Sequence, residues 1–553
     1  MFKLNHKFEN KNANKAFKYF LIPSIMTAIA VSLNEFVDGI VVANLIGSHA
    51  LALVNMAFPT FLILCLVAVL FGNSGAILYS KFIGQQNKNR ADQAVSLAVI
   101  FLILFSIIVM VVGFFFSHEI AGVLSSNRIQ PGFEDLVRIL LISAPLIIPV
   151  EAFIFLFPVY GEPKYSTLVV FTANILNLIF DIILIKYLSM GVAASALATT
   201  MGHFIALIMI LVIIKGNKIP FKYTKITSID KSLITPLIWI GSPPAITQLA
   251  FAIKTVFGNH IGLVYEGVNG VTTYAVCFQT LSICGIIITG LVCSIIPLAS
   301  LMYGQNDFDG IKKVLNVGMK FQLICCVFLF LISACYPKIF LIMYNITNPV
   351  TIPYVIHGLL IFSGMYLFRG TIILFMTYAQ IAGRKIYALV ISIVEGFGGL
   401  IIISLLLCPI IGIDGLWWAF TLTEAILFLA MVLFNFIISR YSNILKGFFL
   451  LEKENNVLNQ VIEFNGEISQ EIVEFISDKN IVNDLNSLIS EISSNIKGKP
   501  SGNIELKVKK EKSNFNVRIR TVDPQPEIQR DYVKQERLLE LYYYTWLHYN
   551  ISN

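Results

Sequence analysis

Charged residues are scarce in this sequence. Asp, Glu, Lys and Arg make up 13% of its 553 residues, whereas 56% are hydrophobic. Soluble domains carry about 25% charged residues, so the composition excludes an ordinary soluble protein and predicts an integral membrane protein. The apolar residues form long runs over 17–439, and the more polar residues 440–553 form a tail, which places the clearest domain boundary near residue 440.

The sequence also lacks a cysteine framework and a cleavable leader. Its eight cysteines all fall inside apolar runs, with spacing that fits neither a set of disulfides nor a zinc site, so we interpret them as small buried residues. The polar residues 1–16 precede an apolar run that has no small-residue cleavage site. We therefore expect an uncleaved first span with a cytoplasmic lead.

Long apolar runs predict twelve membrane-spanning helices, because a span needs about 20 apolar residues. The predicted spans lie at 17–43, 51–80, 91–116, 137–160, 166–188, 190–214, 233–262, 270–302, 317–336, 352–379, 386–409 and 413–439. Lysine and arginine cluster before the first span and after the second, sixth and eighth, whereas the alternate loops contain almost none. This asymmetry predicts that both termini are cytoplasmic.

A faint internal repeat relates the two halves of the apolar region at an offset near 220 residues. The matched positions are Pro23 and Thr27 with Pro243 and Thr247, Gly84-Gln85 with Gly304-Gln305, and, one residue later, Gly191 and Thr200 with Gly412 and Thr421. Six spans per half give both halves the same orientation, so we expect two six-helix bundles, 17–214 and 233–439, joined by a cytoplasmic linker, 215–232. A pseudo-two-fold axis along the membrane normal then places a cavity between the bundles, as in alternating-access transporters.

The main intramembrane acids belong to the first bundle. Asn34 and Asp38 lie four residues apart in span one, and Asn177 and Asp181 repeat this spacing in span five, so each pair shares a helix face. The positions that the repeat matches to Asp38, Asn177 and Asp181 are small or apolar, namely Gly258, Gly398 and Ile402. The acids are therefore a feature of one bundle and not a requirement of the fold.

Carboxylate and amide oxygens that face one bundle interior have two chemical uses. They can bind a hard cation such as sodium, or the carboxylates can hold a proton. Either ion can drive transport. The structural alternative is that Asp38 and Asp181 cap or bridge helices, but ionisable residues at this depth are functional by default.

Other polar residues in the spans are candidates for the substrate cavity. These are Glu35, Lys254, Glu395 and Gln248. We expect Lys254 in span seven to pair with Glu395 in span eleven or with Glu35, and this neutralisation explains their presence as well as substrate contact does. The histidines of the spans, His203, His260 and His357, are interpreted as core or rim residues.

Three segments resemble the multidrug and toxic compound extrusion (MATE) family. They are "LNEFVDGIVVANLIG" in span one, "VNMAFPTFLILCLVAVLFGNSGAILYSKFIGQQNKNRADQAV" in and after span two, and "GEPKYSTLVVFTANILNLIFDIILIKYLSMGVAASALATT" in spans five and six. The resemblance covers about residues 15–440. It implies a cation site in the N-terminal bundle formed by Asp38, Asn177, Asp181 and Thr199, to which the helical spacing adds Asn34.

The resemblance also implies an alternative site. Some family members use acids of the C-terminal bundle, and the matching positions here offer Glu395 and Glu424. The chain departs from the family pattern at "TYAVCFQTL", at Glu35 and at Lys254, which leaves the substrate range open.

The tail is similar to the anti-sigma type of histidine-kinase-like ATPase domain in its order of helix, helix, strand, strand. Glu491 and Asn495 fall where that family carries a metal-binding box, but no glycine follows Gly502. A backbone that approaches phosphates needs such glycines, so we interpret the tail as a degenerate, non-hydrolysing α+β module. An unrelated α+β appendage is the alternative.

The combined pattern predicts a secondary active exporter and not an enzyme. We expect it to exchange sodium or protons for amphipathic, cationic organic compounds, as a monomer in the inner (cytoplasmic) membrane, with contacts to membrane lipid and none to nucleic acid. A sodium ion is the one candidate cofactor. A lipid-linked saccharide flippase of the same superfamily and a membrane sensor that signals through the tail are the competing hypotheses.

Overall fold

A computed structural model describes most of the apolar region and part of the tail. The described residues are 19–30, 41, 45–46, 48–125, 131–219, 223–224, 231–305, 307–344, 346, 348–441, 457–463, 473–474, 482–483, 486, 503–511, 514–521 and 547–552.

The N-terminal half is helical. Its helices are α1 (Tyr19–Ala30), α2 (Ser48–Gly84), α3 (Lys88–Leu124), α4 (Phe133–Ile142), α5 (Ala144–Val159), α6 (Pro163–Asp181) and α7 (Ala193–Lys215). A π-helical turn, Ile182–Tyr187, continues α6. Helices α4 and α5 meet at 60°. This bend follows from Pro145, whose ring removes a backbone donor and clashes with the carbonyl four residues earlier.

The C-terminal half repeats this pattern. Its helices are α8 (Lys231–Gly304), α9 (Phe308–Cys335), α10 (Lys338–Met343), α11 (Thr351–Phe362), α12 (Tyr366–Ile381), α13 (Lys385–Ile393), α14 (Gly399–Ile411) and α15 (Asp414–Tyr441). Helix α8 breaks at Gly267, whose φ of +54° favours glycine. A 3₁₀ turn joins α11 to α12, and a π-helical turn, Val394–Gly398, joins α13 to α14.

Ten described helices are long and apolar enough to cross a membrane, or eleven if the bent pair α4–α5 counts as one span. These eleven correspond to predicted spans two to twelve. The first predicted span is described as a helix only over α1, so the count of twelve stays a prediction.

The internal repeat is visible in local geometry. Asn87 caps α3 by accepting from the Arg90 backbone N–H at 3.1 Å, and Asp307, 220 residues later, caps α9 by accepting from Gly310 N–H at 3.1 Å. Likewise the hydroxyls of Thr27 and Thr247 donate to the carbonyls of Pro23 and Pro243. Gly191 and Gly412 both have a positive φ, of +68° and +65°.

The two halves meet where α2 and α8 end. A Cβ at Gly84 would lie 2.1 Å from the Leu301 carbonyl oxygen, and a Cβ at Gly304 would lie 2.0 Å from that of Lys81. The contact is reciprocal at an offset of 220 residues, as a two-fold axis between the halves requires. The predicted topology assigns this backbone contact to the cytoplasmic side.

Buried apolar residues form two cores. The first fills the N-terminal half and continues onto residues 291–315 and 374–381, around the contact of α2 with α8. The second lies within the C-terminal half, over residues 261–431. Each half is therefore a lobe with its own core, and we call them the N-lobe and the C-lobe.

The described part of the tail contains a four-stranded antiparallel sheet. Its strands are β1 (Val457–Glu463), β2 (Asn503–Glu511), β3 (Asn514–Thr521) and β4 (Leu547–Ser552), in the order β1-β2-β3-β4. Leu506 of β2 pairs with Gln460 of β1 and Ile519 of β3. Strands β2 and β3 fall in the stretch where two strands were expected, and β1 and β4 were not expected. Glu491 and Asn495 lie outside the described residues, so the α+β domain stays a prediction.

Candidate functional site

The N-lobe brings amide, hydroxyl and carboxylate groups together between α6 and α7. Asn177 donates from Nδ2 to Thr199 Oγ1 at 3.2 Å, and Thr199 in turn donates to the Ser195 carbonyl at 3.0 Å. Asp181 lies one turn beyond Asn177, where α6 changes to a π-helical turn, and its side chain is fully buried. Three of the five predicted ion-site residues therefore belong to one buried region.

The last described residue of α1 lies beside this group. Asn174 Nδ2, in α6, donates to the carbonyl of that residue, Ala30, at 2.7 Å. Thr167 of α6 also donates to the Pro23 carbonyl at 2.9 Å. The other predicted site residues, Asn34, Glu35 and Asp38, lie outside the described residues.

A cavity of about 340 Å³ lies between the lobes. Its lining comes from α1, α2, α5, α6 and α7 on the N-lobe side and from α8 and α12 on the C-lobe side. Gln248 and Lys254, two of the candidate cavity residues, are in the lining, whereas Glu395 is not. Most of the surface is apolar, which suits an organic ligand.

The charged side chains of the described lining are Glu151 on the N-lobe wall and Lys254 and Arg369 on the C-lobe wall. His203 also lines the cavity, where its Nε2 lies 3.3 Å from Glu151 Oε1 and its Nδ1 lies 2.8 Å from the Thr199 carbonyl. His203 thus links the cavity wall to the N-lobe group.

The C-lobe holds a buried network of four ionisable side chains. Lys254 Nζ lies 3.3 Å from Glu395 Oε1, which confirms the first of the two expected pairs. Arg369 bonds the same Glu395 oxygen and also Glu424 Oε1, the latter at 2.8 Å. Both carboxylates are at most 2% exposed, so their charges are balanced inside the lobe.

Sequence reasoning missed Arg369 and Glu151. Each interrupts an apolar run, in "MYLFRGTIILF" and "IIPVEAFIF", and an ionisable residue at that depth is a functional candidate on this ground alone. The sequence therefore marks both residues as candidates. It does not show which charged side chains lie next to each other in the folded protein.

Comparison with known proteins identifies the fold. The family model MatE matches residues 23–183 and 243–410, one segment in each lobe. The chain belongs to the MatE family. Members of the MatE family are transporters and not enzymes, so this chain is a multi-pass membrane transporter. Neither matched segment reaches the tail, whose likeness to an ATPase module stays a prediction.

Two curated MatE relatives are bacterial. The chain is 22% identical to the probable multidrug resistance protein YoeA of Bacillus subtilis over 69% of this chain and 84% of the relative. It is also 22% identical to the multidrug export protein MepA of Staphylococcus aureus over 78% of this chain and 95% of the relative.

A solved structure shares the fold of the two lobes. It is a transporter of the MOP superfamily from Pyrococcus furiosus, with a TM-score of 0.70, 18% identity, and coverage of 78% of this chain and 97% of that one. That protein is described as having a binding pocket of reverse polarity, which suggests a different function for it.

Proposed function

We propose that this chain is a secondary active exporter that exchanges a cation, sodium or a proton, for amphipathic organic compounds by alternating access. The observation that carries the proposal is the cavity between two lobes whose local geometry repeats at an offset of 220 residues. Two such lobes can open the cavity to one side of the membrane at a time. The multidrug relatives YoeA and MepA support export as the direction.

We place the coupling ion in the N-lobe, at Asp38, Asn34, Asn177, Asp181 and Thr199. Asn177 and Thr199 offer oxygens beside the buried Asp181, and hard cations prefer such ligands. The alternative site at Glu395 and Glu424 is less suited, because Lys254 and Arg369 already neutralise both carboxylates. A transported cation would have to displace these groups from a buried site.

One coupled cation is energetically sufficient. A membrane potential of ~100 mV acting on one charge supplies about 2.3 kcal/mol. This corresponds to an accumulation ratio of about 50-fold when each cycle moves one net positive charge inward, as for an exported compound without net charge.

The competing functions receive no support from these observations. The curated relatives are multidrug proteins by name, which favours neither a saccharide flippase nor a sensor. We further propose an inner-membrane location with both termini cytoplasmic, on the basis of the lysine and arginine distribution. The tail then acts as a cytoplasmic, non-hydrolysing module.

Dye transport into everted membrane vesicles tests the proposal. Uptake should require a sodium or a proton gradient and should stop when that gradient is collapsed by an ionophore. Vesicles from cells with an empty vector are the control. Uptake that persists without any ion gradient, or that requires ATP, would contradict the exchange mechanism.

A further inference from the structure

We propose that the cavity binds an amphipathic organic compound through a carboxylate on that compound, which contacts Lys254 and Arg369. The inference deepens the proposed function, because it rests on this cavity being the transport site. It also revises the expectation that the substrates are simple organic cations.

The positions of the four C-lobe charges support this inference. Lys254 and Arg369 line the cavity, with side chains that are 6% and 12% exposed, whereas Glu395 and Glu424 are absent from the described lining. The two cations therefore stand between the ligand space and the two carboxylates. An incoming group meets the positive charges at a shorter distance than the negative ones.

In a buried cavity this difference in distance produces a larger difference in interaction energy than it would in water. The energy between two charges varies inversely with both their separation and the local dielectric constant. A ligand carboxylate beside Lys254 and Arg369 is thus attracted more strongly than Glu395 and Glu424 repel it. A cationic group of a ligand at this wall is repelled by Lys254 and Arg369 more strongly than Glu395 and Glu424 attract it, so its binding there is disfavoured.

Hydrogen bonding strengthens the same preference. The Lys254 ammonium has three N–H donors, and it donates to Glu395 Oε1 at 3.3 Å. Charge-assisted bonds to a carboxylate are about twice as strong as neutral ones. The network also keeps both cations in place, because Glu395 holds Lys254 and Arg369 at the same oxygen.

The opposite wall carries Glu151 beside His203, and most of its remaining described lining leaves room for the apolar body of the ligand. Phe58, Phe61 and Phe155 line the N-lobe side, and Phe251 lies on the C-lobe side. Aromatic rings provide a large apolar contact area at a fixed geometry. The cavity thus combines a region that accommodates the apolar part of the ligand with a region at Lys254 and Arg369 that favours an anionic group.

A matched pair of dyes tests the inference: a xanthene dye with a free carboxylate and the methyl ester of the same dye. Their binding to the purified full-length protein in detergent is measured by fluorescence polarisation. The wild-type protein should bind the acid at least about tenfold more tightly than the ester. In Lys254→Gln this ratio should fall towards one, while the affinity for the ester stays within about twofold.

Two further variants separate charge from structure. Lys254→Arg keeps the positive charge and should keep the preference for the acid. Lys338→Gln removes one positive charge at an exposed helix start and should leave the ratio unchanged. If the wild-type protein binds the ester as tightly as the acid, or if Lys254→Gln weakens both dyes equally, the inference is wrong. The wild-type comparison decides the matter even if Lys254→Gln does not fold.

Transport of the two dyes distinguishes this inference from the proposed function. Gradient-driven export of the ester in preference to the acid would support exchange and overturn the carboxylate site. Tight, Lys254-dependent binding of the acid without any ion-driven transport would support the site and overturn the exporter.

Discussion

The two lobes share helices, turns and caps, yet they handle buried charge differently. In the N-lobe, Asn177 and Thr199 accompany the buried Asp181 with amide and hydroxyl groups. In the C-lobe, Glu395 and Glu424 are joined to the lobe's own cations, Lys254 and Arg369. Under the proposed function, a fold that is built twice from the same plan uses one copy for a transported ion and the other for fixed charges.

The two lobes also differ in the backbone of the helix that carries Asp181 in one lobe and Glu395 in the other. Asp181 is the last residue of α6 before a π-helical turn, and Glu395 lies inside the π-helical turn of the corresponding C-lobe helix. Such wide turns are common at functional sites, because they re-aim side chains and free a carbonyl. The two turns occupy different positions in the repeat, so the corresponding helices of the two lobes have different local geometry.

The largest expected effect concerns the fixed charges. Arg369→Gln leaves two buried carboxylates with one ammonium, and breaking a buried ion pair in this way costs about 3–5 kcal/mol. The thermal unfolding temperature of the purified protein should fall strongly. Arg138→Gln is the control, because Arg138 pairs with Glu134 at a partly exposed site, and a pair near the surface is worth about 0–1 kcal/mol. Equal unfolding temperatures for the two variants would show that the C-lobe network does not support the fold.

The second effect concerns the proposed ion site of the N-lobe. Asp181→Asn should abolish ion-driven dye accumulation, a loss of up to about 50-fold, whereas the protein should still insert because the bilayer disfavours charge. Asp38→Asn is expected to behave in the same way. Accumulation is measured in vesicles with matched amounts of protein. Wild-type accumulation by a folded Asp181→Asn variant would remove Asp181 from the ion site.

The third effect tests the symmetry of the lobe contact. Gly84→Ala and Gly304→Ala each add a methyl group about 2 Å from a carbonyl oxygen of the other lobe. Overpacking of this kind costs about 1–3 kcal/mol, so both variants should lower the unfolding temperature by similar amounts. Gly285→Ala is the control, since within the described structure no atom outside its own stretch of helix lies within 4 Å of its added Cβ. A large effect at Gly84 with none at Gly304 would contradict a reciprocal contact.

The smallest effect is expected at the C-lobe position that the repeat matches to Asp181. Ile402 is 62% exposed, so Ile402→Val should cost less than about 1 kcal/mol and leave ion dependence intact. Dye accumulation against sodium and proton gradients is the measurement. If the variant folds and binds dye but loses its ion dependence, the assignment of coupling to the N-lobe is wrong.

Sequence reasoning predicted the repeat and spans two to twelve because their signals are local. Apolar length marks a span, and the repeat was read from short matched segments such as Gly84-Gln85 with Gly304-Gln305. The bend between α4 and α5 was missed, although Pro145 supplies its cause.

The candidate site was only half predictable. The contact of Asn177 with Thr199 followed from the family resemblance, and the Lys254–Glu395 pair followed from charge neutralisation. The roles of Arg369 and Glu151 did not follow, because which charges meet depends on which helices are neighbours. Helix packing is a long-range property that periodicity in one segment does not contain.

The most direct test of the account is cation movement driven by dye. Proteoliposomes with the purified full-length protein are loaded with dye, held without a membrane potential, and diluted into dye-free buffer that contains labelled sodium or a pH indicator. The account predicts that dye leaving the vesicles drives sodium or protons inward, and that Asp181→Asn abolishes this counter-movement while Ile402→Val retains it. Dye efflux without any opposing cation flux, or with cations moving in the same direction as the dye, would contradict exchange at the N-lobe site.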